Sequence, residues 1–154
     1  MGGMKFGIPH PSSTTTEGVW MARVFVPGRL PRKNERHVIA RSGRSVRLVN
    51  SKPYADFCRR IAAAFVASKV QPLDSGELSI SVVVYTDRSR HLDVRLPFVD
   101  IDACVSGVLD GLQLAKVVDN DVRFGVATLE RDFIDEGQAV LVTIGRVVRE
   151  PCRA

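Results

Sequence analysis

The stretch from Val99 to Asp121 limits what this chain can fold into. Its 23 positions hold five carboxylates, Asp100, Asp102, Asp110, Asp119 and Asp121, set among apolar residues. Phe98, Val99, Ile101, Val117 and Val118 have the character of core, which puts the acids at the rim of an interior rather than on a solvated face. Carboxylates gathered at such a rim repel one another unless a cation lies between them. Hard oxygen donors suit magnesium, with manganese the close alternative.

Spacing sets the local structure. In mid-helix, Asp100 and Asp102 would diverge by about 200° around the axis. Where an extended segment turns into a helix they can point to one side. Pro97 keeps the approach to Asp100 extended, and a helix is predicted from Asp100 or Ile101 to Leu114, with Cys104, Val105, Val108, Leu109 and Leu112 inward. Carboxylates at its N-terminus are favoured by the helix dipole. Either one equally suits a plain N-cap. Asp110, about two turns on, fits a shared face or a solvated position. Asp119 and Asn120 read as turn formers. Asp121, just before the next strand, is the candidate third ligand. His37 and His91 lack metal-ligand spacing, and Ser106 lacks a histidine partner pattern.

The flanking elements follow from periodicity. Val19 to Val26 alternates as a strand with Trp20, Ala22, Val24 and Val26 on one face. Pro31 to Arg47 is a basic loop in which Ser42-Gly43 marks the tip of a short hairpin. Ser51 caps a helix reaching Lys69, its apolar face built from Tyr54, Phe57, Cys58, Ile61, Phe65 and Val66, with Arg59 and Arg60 off that face. Leu78 to Thr86 is a strand. Asp87 to Arg95 is a charged loop. Phe124 to Arg131 and Ala139 to Val148 are two strands expected to pair as an antiparallel hairpin. The fold class is α/β (α+β): one domain over residues 19–148, with a small mixed sheet and two main helices packed on it. Residues 1–18 and 149–154 are expected to be tails, the first disordered.

Charge divides the chain in two. Residues 20–69 carry 12 Lys and Arg against Glu35 and Asp56, a net of +10. Residues 70–154 carry 9 against 14 acids, a net of −5. A basic half beside an acidic centre points to a polyanion partner. No apolar run is long enough to span a bilayer, and the start lacks a signal-peptide pattern. Cys58, Cys104 and Cys152 are odd in number and far apart, which fits a reducing compartment. The expected location is the cytoplasm, with no membrane partner.

Asp100-Ile101-Asp102, Leu109-Asp110-Gly111-Leu112 and Asn120-Asp121 together resemble the RusA family of Holliday-junction resolvases. Pro31-Arg32-Lys33-Asn34-Glu35-Arg36 resembles that family's early Pro-x-x-Asn-x-Arg loop, and Ser51-Lys52-Pro53-Tyr54 its Ser…Tyr helix start. The likeness spans Val24 to Val147. It implies a homodimeric, magnesium-dependent endonuclease that cuts branched double-stranded DNA at four-way junctions. It further implies that Asp100, Asp102 and Asp121 are metal-binding catalytic acids. Arg32, Lys33, Asn34, Arg36, Arg41, Arg44, Arg88, Arg90 and Arg95 would then hold the DNA arms. Ala103 and Ser106 depart from the family pattern, which has Asn and Lys there. The lost lysine removes a cation where negative charge develops, and Lys116 or Arg95 would have to replace it. A branched-DNA-binding module of the same fold, catalytically weakened, is the alternative.

Overall fold

The structure, a computed structural model, describes residues 20–32, 35–73, 76–88 and 99–147. Both expected tails lie outside the described residues. The elements in chain order are β1 (Trp20–Pro27), β2 (His37–Ser42), β3 (Ser45–Asn50), α1 (Lys52–Ala67), β4 (Leu78–Asp87), α2 (Ile101–Leu114), β5 (Phe124–Ile134) and β6 (Ala139–Arg146). A single 3-10 turn, Asp121–Arg123, leads into β5.

Four strands form a mixed sheet in the order β1-β6-β4-β5. β6 is antiparallel to both β1 and β4, while β5 runs parallel to β4. Alternation decides which side is buried. Leu78, Ile80, Val82 and Val84 of β4 point inward with Val140, Val142 and Ile144 of β6 and Val24 and Val26 of β1. Phe57, Ile61 and Phe65 of α1, and Cys104, Val108 and Leu112 of α2, close the same core. Both helices therefore lie on one face of the sheet. None of the described helices is long and apolar enough to cross a membrane.

The expected β5–β6 hairpin is corrected. β4 lies between the two strands, and the short link between them passes across its end. Burial explains the arrangement, because β4 alternates buried and half-buried residues along its whole length and takes the interior position. β5 is more exposed and takes an edge. The apolar face of α1 is as expected except for Val66, which is 63% exposed. On α2, Val105 and Leu109 are half-buried, and Ala103, Gly107 and Gly111 take the inward positions beside Cys104, Val108 and Leu112.

Those two glycines set how closely the helices approach. A Cβ on Gly107 would lie 2.5 Å from the Phe57 ring. One on Gly111 would lie 2.6 Å from Ile61 and 2.9 Å from the Cys58 carbonyl oxygen. Gly111→Ala should therefore push α1 and α2 apart and cost roughly 1–3 kcal/mol as overpacking. Urea denaturation measures this, and an unchanged midpoint would show that the helices are not held at this contact.

Candidate functional site

Asp100 caps α2. Its backbone is extended (φ −84°, ψ 106°) and its side chain accepts from Ala103 N–H at 3.2 Å. The capping role and the placement at a helix start are therefore both realised. The approach is fixed by the loop after β1. Asp100 N–H donates to the Pro31 carbonyl at 3.0 Å, and Arg32 bridges Val99 backbone to backbone. Glu35 braces that loop by accepting from Arg32 N–H at 2.9 Å and pairing with Arg29. Ser51 Oγ donates to the Glu35 carbonyl, and Ser51 N–H to the Arg36 carbonyl at 2.9 Å. Gln138 holds the other side, its side chain accepting from Leu30 N–H at 2.8 Å and its carbonyl from Gly28 N–H at 2.9 Å.

A cation also stands at this end. Arg131 of β5 donates to the Val99 carbonyl at 3.3 Å, and its buried Nε has no hydrogen-bond partner among the described residues. Sequence reasoning missed this residue. The signal was present: Leu129, Arg131 and Phe133 alternate, so Arg131 shares the inward face of an otherwise apolar register. Lys116, a candidate replacement for the absent lysine, stands just past the C-terminal end of α2 in the left-handed region (φ 56°) and is far from Asp100. Arg95, the other candidate, lies outside the described residues, as do Lys33, Asn34, Arg90 and His91.

Three pieces quoted for the family likeness meet in space. Tyr54 Oη donates to Asp110 at 2.7 Å, so Asp110 is tied to α1 rather than solvated. Arg36 lies over the Tyr54 ring, 5.5 Å from its centroid. The early loop, the Ser51-to-Tyr54 helix start and the acid on α2 thus share one cluster. Burial, reinforced by the Asp110 bond, drives the Tyr54 phenol far above its ordinary value. Burial also pushes the Cys58 thiol up to about 11, with the Asp110 charge adding to the effect. Cys104 is pushed up to about 12, again by burial, with Asp100 adding and Arg131 opposing. Both cysteines are buried and free, consistent with their reading as core.

Asp102 is exposed at the lip of a cleft between α2 and β5. The cleft measures about 370 Å³ and is lined by Val105 and Ser106 of α2, Ile80 and Val82 of β4, and Ala127, Thr128 and Leu129 of β5. Asp121 stands elsewhere. It opens the 3-10 turn that follows α2, at the far end of the helix from Asp100. Asp119 pairs with Arg123 at 3.3 Å, in keeping with a turn role. Among the described residues, no three His, Cys, Asp or Glu side chains come together to hold a metal ion. Asp100 and Asp102 at one end of α2 and Asp121 beyond the other do not converge.

The basic tip is a two-stranded ribbon. β2 and β3 pair with each other from His37–Asn50 to Ser42–Ser45. Arg41, Arg44 and Arg47 are exposed on it, Arg36 is exposed at its base, and no acid occurs between Arg36 and Asn50. Its outward face also carries Ile39 (67% exposed), Val46 (63%) and Leu48 (65%). Arg88, at the end of β4, lies over the Phe133 ring at 6.0 Å.

No protein-family model matches the chain, and no curated protein matches it.

The perturbed thiols and phenol predict a pH dependence. Each holds its proton more tightly folded than unfolded, so raising the pH favours unfolding. Their contribution is intact below the ordinary thiol value of 9.0 and is lost progressively towards about 12. Urea midpoints should fall between pH 9 and 11, and Cys104→Ala should flatten the slope. A midpoint that rises over this range would contradict the assignment.

Proposed function

We propose that this chain is a dimeric, metal-dependent endonuclease acting on branched DNA, the reading its resemblance implies. The carrying observation is the gathering at one end of the sheet. The Asp100 cap, Arg32 and the root of the arginine ribbon are tied there by backbone hydrogen bonds, Arg131 joins them through its side chain on the Val99 carbonyl, and exposed Asp102 follows Asp100 on the first turn of α2.

Division of labour follows from the chemistry. The ribbon arginines grip phosphates, since each is exposed and unopposed by acid nearby. Arg131 and Arg32 offset negative charge beside Asp100, the part that the lysine absent at Ser106 would otherwise take. Asp102 offers its carboxylate to the open cleft. Phosphodiester hydrolysis of this type calls for a divalent cation, magnesium or manganese, as Lewis acid and source of the nucleophile. Asp100 and Asp102 would meet it. Ser106 beside Asp102 favours the second reading, a module of the same fold that grips branched DNA without cutting it.

Two outcomes test the proposal. Asp102→Asn should abolish cleavage of a synthetic four-way junction in magnesium while junction affinity stays within about twofold. Wild-type protein that binds the junction but never nicks it in magnesium or manganese would leave the binding module standing. In a gel-shift salt titration, Arg41→Ala with Arg44→Ala should lower the log–log slope by about two, one for each phosphate no longer neutralised. An unchanged slope would remove the ribbon from the DNA interface.

A further inference from the structure

We infer that the β2–β3 ribbon lies in the major groove of a duplex arm, where its outward apolar stripe packs on thymine methyl groups and gives the protein a preference for A·T pairs. This rests on the DNA reading above and concerns which part of the DNA the ribbon meets.

Register puts the stripe on one face. Residues directly opposite each other in an antiparallel pair lie on the same side of the ribbon. Ile39 is opposite Leu48, Arg41 opposite Val46 and His37 opposite Asn50. All six are exposed, so they form one continuous open face. Ile39, Val46 and Leu48 stand together along it, each close to two-thirds exposed. Alternation sends Ala40 and Val49 to the reverse side, where both are half-buried. The two strands make a sheet of their own, separate from the four-stranded sheet, and at these exposures no described element covers the stripe.

Chemistry selects the occupant. The ribbon holds no acid between Arg36 and Asn50, so it approaches a polyanion without repulsion. Phosphates, however, need only the arginines. Three branched aliphatic side chains gain from contact only where they meet another apolar group and both leave water. On duplex DNA the apolar group in the grooves is the C5-methyl of thymine, and it faces the major groove. Asn50, at the root of the same face, carries an amide suited to the N6 and N7 of the paired adenine. Arg44 in the turn, with Arg41 and Arg47 beside it, remains for the phosphate walls.

Dimensions agree. The paired strands are about 4.8 Å apart. A major groove about 12 Å wide admits such a ribbon, whereas a minor groove of about 6 Å does not. From His37 to Ser42 the ribbon extends about 17 Å at 3.4 Å per residue, twice the groove depth of about 8.5 Å. The stripe therefore reaches the groove floor while the root stays tied to Ser51 through the Arg36 carbonyl.

Replacing thymine with uracil isolates the contact, because it removes the methyl and leaves phosphates, base pairing and minor groove in place. Synthetic four-way junctions with A·T-rich arms are prepared with thymidine or with deoxyuridine, and binding is followed by fluorescence anisotropy in EDTA. Wild-type affinity should fall about fourfold for each methyl that the ribbon buries, with an unchanged salt slope. Ile39→Thr with Leu48→Thr keeps strand-forming residues and every arginine. This double variant should bind both junctions to within about twofold of each other, again with the wild-type salt slope. Equal wild-type affinity for the two junctions would overturn the inference. So would a double variant that still discriminates between them but sediments as a smaller species, since the stripe would then belong to a contact with a second copy of the chain. Wild-type protein that binds neither junction fails in a distinguishable way, since it removes the DNA reading and this inference with it.

Discussion

The close crossing of α1 and α2 at Gly107 and Gly111 governs the geometry of everything placed at the acidic end. Any side chain at these positions would collide with Phe57, Ile61 or the Cys58 backbone. Because the helices can approach this far, Tyr54 on the first turn of α1 reaches Asp110 on α2 at 2.7 Å. Arg36 then lies on the Tyr54 ring, and Ser51, which caps α1, ties down Glu35 and Arg36. Each link is modest, a hydrogen bond contributing on the order of 1 kcal/mol net. Their joint effect is positional: the root of the ribbon and the start of α2 are both referred to one rigid helix pair.

Charge at the start of α2 is handled by backbone and arginine together. Asp100 takes up an N–H that the first turn leaves unpaired, and the helix dipole favours it. Arg131 is the more informative neighbour. A guanidinium with a buried, unpartnered Nε is costly unless an anion offsets it. Its position under Val99 puts that positive charge at the start of α2, near Asp100. The cation near the start of α2 is thus supplied from the sheet.

Much of this was legible in the sequence because it is local. Alternation from Leu78 to Val84 named the inward residues of β4, and the three-and-four spacing from Tyr54 to Phe65 named those of α1. Asp100 as a helix cap followed from Pro97 and the apolar run after it. What failed depended on partners distant in sequence. The link from Ile134 to Ala139 has the length of a hairpin connection, and nothing within it reveals that β4 takes the place between. Nothing local to Gly107 and Gly111 shows that α1 lies against them. Arg131 only ended a predicted strand, and its tie to Val99 spans 32 residues of sequence. The separation of Asp100 from Asp121, by contrast, was already implied by a helix running to Leu114.

That separation is where topology bears on function. The β5–β6 link, the Gln138 clamp on Gly28 and Leu30, the Arg29–Arg36 loop, the ribbon and Asp100 all belong to one end of the sheet. Asp121 belongs to the other. A rigid helix cannot shorten, and the strand beside it fixes the same distance a second time. β5 keeps an edge without a neighbouring strand among the described residues because β4, not β5, took the interior position beside β6. The strand order misread from sequence is thus the feature that leaves an edge open next to Asp102.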